Sequence, residues 1–319
     1  MAKTLLQVDK LEVQFKLENT ISFGVRDISF SVKEGVNLAL IGESGCGKSV
    51  TALSCMRLLG SNAVISNGNI IFEDKDITRI EEKYMEKIRG SIMSMIFQEP
   101  MTSLNPVLTI KYQISEVLRL HTKLTKKEIQ SQCIKLLEDV GISDTEKVLN
   151  GFPYELSGGM CQRVMIAIAL VCKPKLLIAD EPTTALDVTI QAQILSLLKK
   201  IQKENSLTIL IITHDFGVAC EIADEVLVMY AGIVVEKGSV EELFLYPLHP
   251  YTKALIKSII PINANINTPL YSIPGIIQDI QEKNRCPFYN RCDEKITQCE
   301  REIPKIEEKK NNHFVRCWR

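Results

Sequence analysis

Residues 42–49 read Gly42-Glu43-Ser44-Gly45-Cys46-Gly47-Lys48-Ser49. The spacing G-x-x-x-x-G-K-S is that of a phosphate-binding loop, and its flanks suit one. A short apolar run, Val36 to Ile41, reads as a buried strand before it, and Ser49 to Leu59 reads as the helix after it. A polyphosphate is held by backbone N–H groups of such a loop and by the N-terminus of the following helix. The spacing assigns Lys48 to the terminal phosphates and Ser49 to Mg²⁺. Cys46 reads as a tolerated small residue rather than a redox switch.

Working outward, a second constellation completes the first. Leu156-Ser157-Gly158-Gly159-Met160 precedes a helical run from Gln162 to Leu170, and small residues with free N–H groups at a helix start make an anion site. Next come Leu176-Leu177-Ile178-Ala179 and then Asp180-Glu181. A carboxylate at the end of a buried strand, Asp180, is placed to face a metal, and its neighbour Glu181 to activate a water as general base. Pro182-Thr183-Thr184-Ala185-Leu186-Asp187 follows. Without these surroundings, Asp-Glu and Ser-Gly-Gly would be a solvated strand end and a loop.

The remaining pattern predicts an α/β fold with a mainly parallel sheet. Residues 5–15 and 21–34 alternate as strands do, and Ile92 to Phe97 is strand-like. Leu176 to Ala179 and Thr208 to Thr213 read as strands buried on both faces. Val226 to Tyr230 and Ile233 to Glu236 read as the last strands. Residues 110–150, within an insertion spanning about 100–160, have helical spacing, and Ile190, Ile194, Leu197, Leu198 and Ile201 share one helical face.

The chain has 319 residues, 45 % hydrophobic and 24 % charged, with formal net charge −1. That balance suits one large domain plus an appendage and gives no whole-chain attraction to nucleic acid. Met1-Ala2-Lys3-Thr4 leads into a charged segment without the apolar core of a secretory signal. No run approaches the roughly 18 apolar residues that span a bilayer, so a membrane role is expected to run through a partner.

These motifs resemble the ATP-binding subunit of an ABC transporter. The resemblance rests on Gly42–Ser49, Gln98, Leu156–Met160, Leu177–Glu181, Ala185-Leu186-Asp187 and His214, and covers residues 1–245. It implies an antiparallel β subdomain beside the core sheet, and head-to-tail pairing of two such domains. Each ATP would then lie between one phosphate loop (Gly42, Glu43, Ser44, Gly45, Cys46, Gly47, Lys48, Ser49, Val50) and the partner's signature. By the same resemblance Ser157, Gly158 and Gly159 contact the γ-phosphate across the interface. Gln98 and Asp180 attend Mg²⁺ with Ser49, His214 is a γ-phosphate switch, and Asp187 sits at the dimer seam. Phe15 is the candidate for stacking on adenine, with a packed core Phe as the equal alternative. Met160 stands where the family more often has Gln.

Two segments narrow the branch. Gln98-Glu99-Pro100-Met101-Thr102-Ser103-Leu104-Asn105-Pro106 looks like the glutamine loop of peptide and nickel importers, and His249-Pro250-Tyr251-Thr252 looks like the start of their C-terminal extension, here residues 246–319. The resemblance implies a second, different ATPase subunit, two membrane permeases, an external binding protein and a place on the cytoplasmic face of the membrane. A nickel or other solute importer is the alternative, and an ABC ATPase acting on nucleic acid or ribosomes is the reading from another class.

Ten cysteines are present. Cys46, Cys55, Cys133, Cys161, Cys172 and Cys220 are scattered, whereas Cys286, Cys292, Cys299 and Cys317 crowd the end of the chain. Their spacing lacks the paired C-x2-C knuckles of a zinc ribbon. Four thiolates with looser spacing can hold a [4Fe–4S] cluster, to which the family resemblance points; zinc, or no metal, are the alternatives. The loop-rich tail, punctuated by Pro261, Pro274 and Gly275, has little core of its own, so a metal centre would supply its folding energy. On this reading the ATP loop, in a separately cored domain, is indifferent to the tail.

Overall fold

The computed structural model describes residues 3–16, 20–184, 186–259, 271–277, 284–310 and 312–319. Ala185 and Pro261, both singled out above, lie outside the described residues, as does Ile260. The chain divides into two compact units: Arg79–Ile211, and Lys3–Thr78 together with Ile212–Arg319.

The second unit contains two sheets. One is antiparallel and four-stranded, in the order Ile21–Lys33, Thr4–Lys16, Ala63–Phe72, Lys75–Asp76. Leu6, Val8, Leu11 and Val13 are fully buried on one face of Thr4–Lys16. The run from Val8 to Leu11 is one residue too long for strict alternation. A bulge resolves it: Lys10 takes φ 46°, and the pairing with Ile21–Lys33 shifts register between Val8 and Leu11. Gly68, at φ 91° on the neighbouring strand, faces that bulge. A Cβ there would come within 2.5 Å of the Asp9 and Lys10 carbonyl oxygens. This sheet is the antiparallel subdomain that the resemblance implied.

In the other sheet Leu38–Ile41 runs parallel to Glu225–Tyr230, with Leu38 opposite Glu225 and Ile41 opposite Val228. All four residues of Leu38–Ile41 are buried. The strand is fixed at its start by Asn37, whose backbone N–H donates to Asp224 (2.8 Å) and whose side-chain amide donates to the Ile222 carbonyl (3.0 Å). Beyond Glu225–Tyr230 the sheet turns antiparallel, through Ile233–Ser239, then His313–Val315, then Glu307–Lys310. Sequence reading ended the sheet at Glu236, and the two strands from the tail are additions to it.

The tail strands thus belong to the same compact unit as the phosphate loop. His313 and Val315 are buried against the sheet, and Phe288 is buried among aromatic rings, its centroid 5.1 Å from Tyr230 and 5.4 Å from Tyr251. Phe288 and Val315 are thus tail residues that pack into the unit that carries the phosphate loop. A carboxylate joins the pieces. Glu236 is fully buried and accepts from the backbone N–H of Leu248 (2.7 Å) and His249 (2.9 Å), and it lies 2.7 Å from His313 Nε2.

The first unit holds the helices expected between 100 and 160. Ile110–His121, Lys126–Asp139 and Thr145–Asn150 are separated by short breaks. Thr125 caps the second of them in a box with Glu128, satisfying N–H groups at its start. Ile110, Ile114 and Leu118 line the buried side of the first helix, and Ile129, Cys133 and Leu137 that of the second. Met93–Ile96 pairs in parallel with Leu176–Asp180, and every residue of the latter is buried. Among the described residues no helix is long and apolar enough to cross a membrane.

His249 gives this fold an acid-sensitive point. It precedes the helix Pro250–Lys257 and its Nδ1 accepts from the Tyr251 N–H, which requires a neutral ring. Burial, aided by the charge of Lys253, pushes its pKa down to about 3. Unfolded, it takes a proton near pH 6.5. The unfolded state thus binds the extra proton, and stability is lost as pH falls from about 6.5 towards 3, at up to about 1.4 kcal/mol per unit. His249→Asn keeps a capping acceptor without this titration. In denaturant unfolding at several pH values the variant should lose less stability than the wild type between pH 6.5 and 4; parallel profiles would remove His249 as the cause.

Candidate functional site

The phosphate loop lies in the second unit between Leu38–Ile41 and the helix Lys48–Met56. Its N-cap, Gly47, has φ 103°, and a Cβ there would stand 2.4 Å from the Gly24 carbonyl oxygen. Both the left-handed backbone and the close approach exclude any other residue. The Cys46 carbonyl accepts from the Gly232 N–H (2.9 Å), tying the loop to the turn after Glu225–Tyr230. Lys48 is 5 % exposed, and its ammonium donates to the carbonyls of Gly42 (2.7 Å) and Glu43 (3.0 Å). Its stem is thus fixed by the loop it serves. Glu43 N–H in turn donates to Tyr251 Oη (2.9 Å). Ser44 and Gly45 are exposed at the tip, while Ser49 and Val50 are half-buried.

Burial raises the pKa of the Cys46 thiol, which disfavours its thiolate. Phe15, half-buried, lies over Gly24: a Cβ at Gly24 would be 2.5 Å from its ring and 3.3 Å from Val50. The ring is therefore beside the first turn after the phosphate loop. His214 is exposed directly after Thr208–Thr213.

The carboxylates and the signature belong to the other unit. Asp180 ends Leu176–Asp180 and is 4 % exposed. Glu181 follows with φ 46°, a left-handed conformation rare for a residue with a long side chain. Strain of this kind concentrates at functional sites. One Glu181 carboxylate oxygen accepts from Gln98 Nε2 (3.0 Å) and from Thr184 Oγ1 (2.8 Å). Two residues 83 positions apart are thereby brought together, and Thr184 is a partner that sequence reading missed. The Thr183-Thr184 pair offers no signal of which hydroxyl turns back to Glu181.

Ser157 caps Gly158–Leu170 by accepting from the Met160 N–H (3.3 Å), so the helix begins four residues earlier than Gln162. Ser157 and Gly158 are exposed, and Gly159 packs close to Ile190. Gln162, buried, donates to the Pro182 carbonyl (2.6 Å), so the signature helix is tied to the segment after Glu181. Asp187 is exposed and caps Val188–Asn205 through the Ile190 N–H (3.0 Å).

The four tail cysteines stand near one another. The Cys286 N–H donates to the Cys299 carbonyl (2.8 Å). Burial pushes the Cys286 thiol up to about 12, with further increments from Cys299, Cys292 and Cys317. Burial likewise raises Cys292 and Cys317. Among the described residues, no three or more His, Cys, Asp or Glu side chains are grouped closely enough to hold a metal ion.

Comparison with known proteins agrees with these motifs. Residues 25–184 match the ABC transporter family, and residues 235–299 match the oligopeptide/dipeptide transporter C-terminal region. A dimeric ATP-binding cassette in a post-hydrolysis state with ADP and Pi superposes with TM-score 0.67 at 25 % identity, over 74 % of this chain and 99 % of that one. A further solved structure, cbiO1 from Clostridium perfringens, gives TM-score 0.64 at 30 % identity, over 76 % of this chain and 92 % of that one. The chain belongs to the ABC transporter family of ATP-binding proteins, and it is an ATPase of the P-loop α/β fold. Within that family it is 49 % identical over 317 residues, 99 % of this chain and 96 % of the relative, to the oligopeptide transport ATP-binding protein AppD of Bacillus subtilis. It is 45 % identical to the dipeptide transport ATP-binding protein DppD of the same organism, over 98 % of this chain and 94 % of the relative.

Gly47→Ala should remove nucleotide binding and cost on the order of 2 kcal/mol in stability, from strained φ and steric overlap together. Nucleotide titration and thermal unfolding measure the two effects. A variant that binds ATP as well as the wild type would contradict the loop geometry.

Proposed function

We propose that the chain hydrolyses ATP to drive an importer of di- or oligopeptides. The observation that carries the catalytic part is the Gln98–Glu181 hydrogen bond, with Glu181 held in a left-handed conformation next to the buried Asp180. The peptide class rests on the match of the C-terminal region and on full-length likeness to peptide transport proteins.

In this reading the loop N–H groups and Lys48 hold the β- and γ-phosphates. Ser49, Asp180 and Gln98 offer the oxygen donors that Mg²⁺ takes, and the ion, when bound, neutralises phosphate charge. Glu181 takes a proton from the attacking water, and Gln98 orients the same region. Ser157, Gly158 and Gly159 present N–H groups and a hydroxyl to the nucleotide of a partner ATPase. Asp187 lies at that seam, His214 contacts the γ-phosphate, and Phe15 stacks on adenine. The division of the sequence falls near residue 245, with the ATP-binding motifs before it and the Cys-rich extension after it. A second, homologous ATPase, two membrane permeases and an external binding protein complete the assembly on the cytoplasmic face of the membrane.

The donor set of the tail, four soft thiols, suits iron–sulfur chemistry. On the family resemblance Cys286, Cys292, Cys299 and Cys317 would hold a four-iron cluster, with a single zinc as the alternative. Anaerobically purified protein should carry roughly four iron and four sulfide per chain, bleached by Cys292→Ser. One zinc per chain, or metal-free protein, would overturn this part alone.

Glu181→Gln should leave ATP binding intact and lower hydrolysis at least about 100-fold, whereas Lys48→Ala should weaken binding itself. Single-turnover hydrolysis by the assembled transporter separates the two. Near-normal turnover in Glu181→Gln would sink the assignment of the base.

A further inference from the structure

Arg291 stands immediately before Cys292, yet its guanidinium reaches the phosphate loop. Nη1 donates to Glu43 Oε2 (2.9 Å) and Nη2 to Glu43 Oε1 (3.1 Å), a bidentate pair across 248 positions of sequence. The remaining donors are also engaged: Nε with the Pro274 carbonyl (2.8 Å), Nη1 with Tyr230 Oη (3.3 Å) and Nη2 with the Ile273 carbonyl (3.4 Å). The five N–H groups of the fork thus have five acceptors. The Arg291 side chain is 7 % exposed, and the guanidinium carbon lies 5.7 Å from the centre of the Tyr230 ring. Burial and saturation distinguish this pair from surface ion pairs, which contribute little.

We infer that Arg291 is a positioning residue for the phosphate loop, acting through Glu43. Glu43 is fixed at three points. Its carboxylate is held by Arg291, its N–H by Tyr251 Oη, and its carbonyl accepts from Lys48 Nζ. The last contact aims the lysine assigned to the terminal phosphates. Releasing the carboxylate frees the peptide that orients Lys48. It also leaves an uncompensated negative charge beside the place where a triphosphate binds. Both effects oppose nucleotide binding, and a preorganised loop avoids both before the ligand arrives. The tail segment 284–292 would therefore act as part of the nucleotide site. The inference rests on the ATP-binding reading of the loop.

The test is a double-mutant cycle on MgATP affinity in the full-length chain, with Arg291→Ala, Glu43→Ala and the pair, each checked by thermal unfolding. Arg291→Ala should raise the Kd for MgATP about tenfold, and Arg291→Lys, which keeps charge without the fork, should recover part of it. In the Glu43→Ala background the same Arg291→Ala change should cost less than about twofold, because the contact is already gone. In the assembled transporter the effect should appear in KM, with kcat at saturating ATP within about twofold of wild type. A purely structural role would lower the unfolding temperature equally in either background and leave Kd unmoved. If Arg291→Ala does not fold, Glu43→Ala removes the same contact without touching the tail and must itself raise the Kd. Unchanged affinity in folded Arg291→Ala or Glu43→Ala, or additive losses in the pair, overturns the inference while Lys48→Ala still loses binding. Failure of wild type to bind MgATP, or of Lys48→Ala to weaken it, overturns the loop reading and the positioning role with it.

Discussion

The second unit depends on one buried carboxylate. Glu236 is fully removed from solvent, a position costly for an ionised group unless it is paired and hydrogen-bonded. Three partners from two segments offset that cost: the Leu248 and His249 N–H groups at the entrance of Pro250–Lys257, and His313 on the tail strand. Through these contacts a residue of the central sheet fixes the His-Pro-Tyr turn and the end of the chain together. The turn then places Tyr251, whose hydroxyl accepts from Glu43 in the phosphate loop. A chain of four contacts leads from His313 to Glu43, whose carbonyl accepts from Lys48.

The two sets of residues proposed for ATP chemistry are held differently, each within its own unit. The phosphate loop is shaped by close backbone approach at Gly47 and by Lys48 bonded to loop carbonyls, so its N–H groups are arranged before a ligand arrives. The carboxylate pair is prepared by strain. Glu181 occupies a left-handed conformation, and its carboxylate is restrained by Gln98 and Thr184. A residue held this way returns part of its conformational cost when the ligand rearranges its partners, which suits a group that must change its contacts during turnover.

Local signals in the sequence were reliable where one element carries the information. Gly42–Ser49 sits between a strand and a helix as its spacing required, and Leu176–Asp180 is buried throughout. The bulge at Lys10 was visible only as a phase slip between Val8 and Leu11. What sequence could not carry was long-range pairing. Neither the antiparallel addition of His313–Val315 nor the grip of Arg291 on Glu43 follows from residue spacing, since both depend on which surfaces meet after folding. From composition alone the tail has little core of its own. Phe288 and Val315 find a core that the rest of the unit supplies.

The central claim is that the tail and the phosphate loop are parts of one cooperative unit. Native-state hydrogen exchange with increasing denaturant tests it most directly. The account predicts that amides of His313–Val315, of Pro250–Lys257 and of the helix after the phosphate loop open together, with free energies within about 1 kcal/mol of one another. Exchange of the tail strand at markedly lower free energy, with the phosphate-loop helix still protected at the global value, would show a separable appendage and contradict the claim.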